Sequence, residues 1–311
     1  IMLWMKPEEN GVWEGEKTVE PGIGQVVLTL GDGESMPLKR DTNRLIFGGT
    51  MLQVRNERGT LVYSRIKSKE ASEKIVYNTL TVPVRERFQL VLADGTKVFL
   101  NSGSEMRYPE RFGKARREVF LKGEAWFEVA KDSAREFWVH AGAMDVKVLG
   151  TSFNVKAYER LETVATTLVE GSVDVACAGK SFQIVPGEQF VYDKNNRVMD
   201  VRMVDTESYV SWKDGYYKFR QTTLEEIMET LSVWYGLNVF YVNESAKQVE
   251  FTGKVKRYED ARMLLDKFEQ TGDVVFDIKG NNVFITIKQK KPFAREWNSF
   301  LVKARGMVWQ S

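Results

Sequence analysis

Two stretches in the first part of the chain share one pattern: Pro21–Leu38 reads PGIGQVVLTLGDGESMPL, and Pro83–Leu100 reads PVRERFQLVLADGTKVFL. At a constant offset they share a proline, a Leu-x-Leu pair, an Asp-Gly dipeptide and a final leucine. Alternating leucines place one face of a strand in a core, and Asp-Gly favours a tight turn. Each copy therefore predicts a β-hairpin. Their repetition predicts stacked hairpins, either solenoid-like or in a sandwich.

The rest of residues 20–205 has the same character. Alternating runs such as Glu124–Val129 are separated by turn dipeptides, among them Lys122-Gly123, Glu170-Gly171 and Asn195-Asn196. No segment of about twelve residues keeps a helical period there. We therefore predict an all-β domain over 20–205.

The pattern changes after Trp212-Lys213-Asp214-Gly215. Thr222 or Thr223 can cap a helix whose apolar residues keep a helical spacing until Gly236, and a second helix is predicted over Tyr258–Gln270. Short strands are predicted at 216–219, 237–242, 248–254, 274–278 and 283–287. The order β-α-β-β-α-β-β predicts a small α+β domain over 206–288.

Both ends of the chain lie outside these two domains. Residues 1–19 form an N-terminal segment, and residues 289–311 form a C-terminal tail that begins with a basic linker. The tail then carries large apolar residues at the spacing of an amphipathic helix. They are Phe293, Trp297, Phe300, Leu301 and Val308.

The composition excludes several classes of function. The 311 residues include 45 basic and 43 acidic side chains, and a net charge of +2 argues against nucleic acid as the main partner. One cysteine and one histidine exclude an intrachain disulfide, a cysteine-rich zinc site and a two-histidine metal site. Neither G-x-S-x-G nor G-x-G-x-x-G occurs. We expect no enzymatic activity, no metal and no cofactor.

Individual polar and aromatic residues have simple explanations. Glu124 and Glu128 flank Trp126 on one strand face, but four residues along a strand separate them by ~13 Å. That is too far for a retaining glycosidase pair, so we expect a solvated face. We expect His140 to be a surface or hydrogen-bonded strand residue and Cys177 to be a small core residue.

Seven motifs follow one another along the chain. They are YNTLTVP at 77–83, LADGTKVFLNS at 92–102, YP at 108–109, VFLKGEAWFEV at 119–129, VLGTSFNV at 148–155, LVEGSV at 168–173 and PGEQ at 186–189. As a set they resemble the FecR family of anti-sigma factors. Residues 212–287 resemble the small domain that follows in Bacteroidetes members, which is similar to the secretin and TonB short N-terminal domain.

The resemblance implies a membrane regulator. Family members hold an extracytoplasmic-function sigma factor with a cytoplasmic segment, which is followed by one inner-membrane helix and a periplasmic part. The periplasmic part receives a signal from the N-terminal signalling domain of an outer-membrane TonB-dependent transporter, and so regulates nutrient uptake. The resemblance implies that this chain is such a periplasmic part, anchored by a helix that the sequence lacks.

A module that signals by contact needs an exposed strand edge or groove rather than catalytic groups. We expect the small α+β domain to present such an edge. The predicted contact residues lie on its third strand, which could lie at an edge. They are Gln248, Val249, Glu250 and Phe251.

An alternative function is also compatible with the sequence. A carbohydrate- or envelope-binding β protein would need an aromatic cluster that faces solvent. The candidates for that cluster are Trp126, Trp138 and Tyr158.

Overall fold

The computed structural model describes residues 24–39, 44–48, 52–57, 60–65, 75–257, 260–270 and 273–288. The predicted N-terminal segment and C-terminal tail lie outside these residues. Up to residue 203 the described chain consists of strands and their connections. In chain order the strands are β1 (Val26–Thr29), β2 (Ser35–Leu38), β3 (Arg44–Gly48), β4 (Leu52–Glu57), β5 (Thr60–Arg65), β6 (Tyr77–Thr81), β7 (Phe88–Val91), β8 (Lys97–Leu100), β9 (Glu105–Pro109), β10 (Arg117–Glu128), β11 (Phe137–Ala141), β12 (Met144–Val148), β13 (Ser152–Ala157), β14 (Thr163–Glu170), β15 (Val173–Cys177), β16 (Lys180–Ile184), β17 (Glu188–Asp193) and β18 (Val198–Met203).

These strands form two layers that share β10. The first layer runs β2-β1-β6-β9-β10-β11-β12-β15-β16, and the second runs β3-β4-β5-β7-β8-β10-β13-β14-β17-β18. One buried apolar cluster fills the space between them. Across it, the ring centroids of Phe127 and Phe137 lie 6.2 Å apart, and those of Tyr63 and Tyr108 lie 5.5 Å apart. The prediction of stacked hairpins in a mainly β fold is confirmed.

The two repeated stretches adopt the same hairpin turn. In the first, the N–H of Leu30 donates to the carbonyl of Glu34 (2.8 Å), and in the second the N–H of Leu92 donates to that of Thr96 (2.9 Å). Gly95 has φ +87°, which glycine adopts without strain. The sequence repeat is therefore a structural repeat.

The Lys122-Gly123 pair is not the predicted turn, because it lies within the single strand β10. Residues before Gly123 pair with β9 and β11, and residues from Gly123 onward pair with β8 and β13. Gly123 has φ +105°, and an added Cβ would lie 2.7 Å from the Cα of Ser104. The glycine thus supplies a kink that carries one strand from the first layer to the second.

Gly123→Ala should therefore lower the free energy of unfolding by about 2–4 kcal/mol, because it adds backbone strain and a clash. Equilibrium urea unfolding measures this loss. Gly142→Ala is the matched control, since Gly142 also has positive φ but has no atom within 4 Å of an added Cβ. It should cost only about 1 kcal/mol. Equal losses in the two variants would mean that the close approach to Ser104 has no energetic role.

The chain after residue 205 forms helices and two small sheets. The elements are α1 (Thr206–Val210), β19 (Tyr216–Thr223), α2 (Leu224–Tyr235), β20 (Asn238–Tyr241), β21 (Glu250–Lys256), α3 (Ala261–Gln270), β22 (Val274–Lys279) and β23 (Asn282–Ile287), with 3₁₀ turns at Ser211–Asp214 and Glu244–Gln248. From β19 onward the order is β-α-β-β-α-β-β, as predicted. Helix α1 was not predicted, because five residues are too short to show a helical period.

Local signals fix the ends of α2. The hydroxyl of Thr223 accepts a hydrogen bond from the N–H of Glu226 (3.3 Å), and Gly236 ends the helix with φ +68°. Strand β19 pairs with β21, while β23 lies between β20 and β22. The apolar faces of α2 and α3 pack with both sheets in a second core.

Candidate functional site

The outer face of the second layer packs against the part of the chain that follows β18. Trp126 on β10 belongs to the same buried cluster as Trp212 and Tyr217. Glu124 is 7% exposed and Trp126 is 4% exposed, so the predicted solvated face is wrong. The alternation of the strand correctly placed Glu124 and Trp126 together on one face of β10. Alternation alone does not show whether another part of the chain covers that face.

A polar network crosses this interdomain interface. The carboxylate of Glu124 accepts hydrogen bonds from the amides of Asn101 (2.7 Å) and Asn154 (2.9 Å). The amide oxygens of the same two asparagines accept hydrogen bonds from residues that follow β18. That of Asn101 accepts from Nη2 of Arg257 (2.9 Å), and that of Asn154 accepts from Nε1 of Trp212 (3.3 Å). Two asparagines therefore connect one buried carboxylate to both Arg257 and Trp212.

Arg257 makes several of the contacts in the part of the interface that follows β18. Its Nη1 donates to the carbonyl of Trp212 (2.9 Å), and its Nε donates to the hydroxyl of Tyr217 (3.2 Å). Its guanidinium carbon lies 3.1 Å from the ring centroid of Trp234. Burial raises the pKa of the Tyr217 hydroxyl, although Arg257 opposes the shift, so Tyr217 stays neutral at physiological pH. Arg257 thus holds the turn at residue 212, strand β19, helix α2 and Asn101 together.

The C-terminal end of α2 is embedded in the first domain. The hydroxyl of Ser102 lies within hydrogen-bonding distance of the carbonyls of Val233 (3.2 Å) and Trp234 (3.1 Å), and the N–H of Arg85 donates to Trp234 (3.0 Å). Tyr158 packs on Val233 and donates its hydroxyl hydrogen to the carbonyl of Ser102 (2.7 Å). Carbonyls at a helix end need such partners, and the first domain supplies them here.

A cavity of about 200 Å³ lies in the interface beside this network. Ion pairs span it, Lys156 with Glu229 and Arg202 with Glu226, each at 3.9 Å. Burial raises the pKa of the Glu229 carboxyl. Arg202 also donates a hydrogen bond to the side-chain oxygen of Gln189 (3.3 Å). Several polar side chains that line the cavity are therefore paired with one another. In the described part of the chain, no group of three or more His, Cys, Asp or Glu side chains is placed to hold a metal ion.

Comparison with known proteins finds two family models that match separate parts of this chain. The family model "FecR protein" matches residues 78–174, and the model "FecR, C-terminal" matches residues 216–285.

The chain belongs to the FecR family.

Two crystal structures of a candidate anti-sigma factor from Parabacteroides distasonis are similar to this FecR chain. One is 27% identical with a TM-score of 0.62, covering 68% of this chain and 99% of that one. The other is 26% identical with a TM-score of 0.62, covering 69% and 100%. No curated protein is significantly similar in sequence.

The interdomain interface joins the two FecR regions. Asn101, Glu124 and Asn154 lie in the FecR match, whereas Arg257 lies in the C-terminal match. Trp212 belongs to the connection between the matched regions. The network therefore links the two characteristic units of the family within one chain.

The predicted contact residues lie at and before the start of β21. Gln248 and Glu250 are exposed, Val249 is half-buried, and Phe251 is buried with its ring centroid 5.0 Å from that of Phe268. Among the described residues β21 pairs only with β19, so its other edge carries no strand. Two of the four side chains are therefore exposed, next to a strand edge that pairs with no other described strand.

The aromatic cluster required by the alternative function does not form. Trp126 and Tyr158 are buried in the interdomain interface, and only Trp138 is partly accessible. A sugar-binding surface built from these three residues is therefore excluded. The two simpler expectations are confirmed: Cys177 is a buried core residue whose thiol pKa is raised by burial, and Nδ1 of His140 lies 2.7 Å from a carboxylate oxygen of Asp145 on its strand face.

Proposed function

We propose that this FecR-type anti-sigma factor receives its signal by contact with the N-terminal signalling domain of an outer-membrane TonB-dependent transporter. In this proposal the chain acts in the periplasm and carries out no catalysis. It controls an extracytoplasmic-function sigma factor through the cytoplasmic segment and inner-membrane helix that the family resemblance implies. No helix in the described ranges is long and apolar enough to cross a membrane.

The observation that carries the proposal is the hydrogen-bonded interdomain interface. A signal received by the C-terminal domain must reach the FecR domain, and a contact between packed elements with fixed polar partners is a physical route for that coupling. Glu124, Asn101 and Arg257 provide such a contact, because Asn101 hydrogen-bonds directly to both of the other two side chains. This arrangement supports a relay between two docked domains.

The proposed docking element is the free edge of β21. An extended segment of the partner would add to this edge through backbone hydrogen bonds, and the exposed side chains of Gln248 and Glu250 would contribute to specificity. Phe251 would act indirectly, because its ring packs on Phe268 and holds the strand on α3.

Titration calorimetry of this chain against the purified signalling domain of the transporter encoded beside it tests the proposal. We expect saturable binding that Glu250→Lys weakens about tenfold, equivalent to ~1.4 kcal/mol. Asp200→Lys on β18 is the control, because it also reverses an exposed strand carboxylate but lies in the second β layer, away from β21. If Glu250→Lys bound the signalling domain as tightly as the unmodified chain, the docking site would not be on β21. No heat from the unmodified pair at high micromolar concentration would refute the relay.

A further inference from the structure

Strand β18 ends the second layer, and one of its two edges carries no other strand. Among the described residues β18 pairs only with β17, in a continuous register from Asp193 opposite Val198 to Glu188 opposite Met203. Proteins usually protect a free edge with a proline, a bulge or an inward-pointing charge. The sequence of β18, VMDVRM, contains no proline, whereas β2 at one end of the first layer contains Pro37. The edge of β18 is therefore suited to pairing with another strand.

The backbone hydrogen bonds of β18 alternate between its two edges. Just past the last β17–β18 pair, the N–H of Val204 donates to the carbonyl of Gly187 (2.9 Å). In an antiparallel pair every second residue bonds to the same neighbouring strand, so the even-numbered residues of β18 also bond to β17. The odd-numbered residues therefore direct their N–H and carbonyl groups to the open edge. These residues are Met199, Val201 and Met203.

The side chains of the same odd-numbered residues lie where the apolar cluster between the two layers ends. Met199 and Val201 are only partly buried against that cluster, as is Phe182 on β16, the last strand of the first layer. Met203 is 71% exposed, and Val185, which follows β16, is 55% exposed. A strand added to β18 would cover apolar surface here as well as bond to the backbone.

The even-numbered side chains point to the opposite face and make β18 complementary to itself. Asp200 is exposed, and the side chain of Arg202 is 47% exposed. If two copies of β18 pair antiparallel about a two-fold axis at Val201, each Asp200 lies opposite the other copy's Arg202, and each Met199 lies opposite a Met203. An axis at Asp200 or at Arg202 would instead bring like charges together, which is unfavourable. One register is therefore preferred.

We propose that two copies of this chain associate through β18, as an antiparallel strand pair whose two-fold axis passes between the two Val201 residues. The pair joins the second layers of the two copies into one continuous sheet. An interface based on one strand pair is small, so we expect a Kd on the order of 10–100 μM. The proposal is independent of transporter docking at β21, because β21 belongs to a different sheet.

Disulfide formation at the proposed axis tests the register. The Cα atoms of the two Val201 residues would lie ~5.5 Å apart, a distance that a disulfide spans. On mild oxidation, Val201→Cys should therefore give linked dimers at least about tenfold faster than Val198→Cys. Val198 is the matched control, because it is 56% exposed on the same strand, but its two copies would lie ~20 Å apart. The native Cys177 is buried. Equal rates, or a faster reaction of Val198→Cys, would overturn the strand pair.

Sedimentation equilibrium of the whole chain measures the association without a cross-link. Asp200→Lys should weaken it at least about tenfold, because two attractive pairs become two repulsive ones. Arg202→Glu should also weaken it, by the opposite change of charge. An equimolar mixture of these two variants should associate again, since opposite charges then meet at both pairs. Glu250→Lys on β21 is the control and should leave the association unchanged.

The remaining outcomes separate this proposal from docking at β21. An unmodified chain that stays monomeric at high micromolar concentration would overturn the strand pair, and so would an association that Glu250→Lys disrupts and Asp200→Lys does not. Asp200→Lys should still bind the signalling domain as tightly as the unmodified chain. Loss of that binding would assign the β18 edge to the transporter partner instead of a second copy.

Discussion

Arg117→Ala should lower the free energy of unfolding by about 3–5 kcal/mol, the largest loss expected for any single substitution considered in this chain. The Arg117 side chain is 0% exposed, and its Nη1 contacts the carboxylate of Asp94 and the carbonyl of Ala130, both at 2.8 Å. Its Nε and Nη2 donate to the carbonyl of Arg135. Alanine would leave the buried carboxylate of Asp94 without its cationic partner, and the carbonyls of Ala130 and Arg135 without the donors that Arg117 supplies.

Equilibrium urea unfolding followed by tryptophan fluorescence measures this loss. Arg116→Ala is the matched control, because the neighbouring Arg116 side chain is 57% exposed and pairs with Glu118 at the surface. It should cost less than about 1 kcal/mol. Combining Arg117→Met with Asp94→Asn should recover much of the stability, since neither partner then remains as an unpaired buried charge. Similar losses for Arg116→Ala and Arg117→Ala would contradict the role assigned to the buried pair.

Asp94 makes one contact that the local sequence predicts and one that it does not. Its place in an Asp-Gly dipeptide predicted the hairpin turn, where its carboxylate accepts from the N–H of Thr96 (3.0 Å). The equivalent Asp32 accepts from the N–H of Glu34 (3.0 Å). Such turns, like the cap at Thr223, depend on residues two or three positions apart, so the sequence was sufficient to predict them. The contact of Asp94 with Arg117 depends on the packing of two layers and has no comparable local signal.

The interdomain interface was beyond sequence reasoning for the same reason. Asn101 and Arg257 are 156 positions apart, and a polar residue on an outward strand face is most simply read as solvated. One usable signal was present: Trp126 is a large aromatic residue on that same face, between Glu124 and Glu128. A large aromatic residue on an outward face indicates a covering surface more often than open solvent.

Arg257→Ala should loosen the interface while leaving each domain folded. The substitution removes hydrogen bonds to Trp212, Tyr217 and Asn101, together with the stacking on Trp234, and we expect a loss of about 2–4 kcal/mol. Arg257→Lys should not restore it, because an ammonium group cannot donate in three directions with the fixed geometry of guanidinium.

Hydrogen exchange of the whole chain locates the effect of Arg257→Ala. Amides at the end of α2 and at Arg85 should exchange at least about thirtyfold faster, which corresponds to ~2 kcal/mol of lost local protection, whereas β10–β12 amides should be unchanged. Arg262→Ala removes an exposed arginine from α3 and should change neither region. Faster exchange throughout the chain would mean that Arg257 stabilises the whole fold instead of the interface.

The same variant separates binding of a signal from its transmission. Bound signalling domain should protect amides in both domains of the unmodified chain, because a fixed interface couples their opening. In Arg257→Ala, binding at β21 should persist, because Glu250 lies on that strand and not in the interface. The protection of amides by the bound signalling domain should then be confined to residues 216–288. Protection that still reached the FecR domain would show that the signal crosses by a contact other than the Arg257–Asn101–Glu124 network.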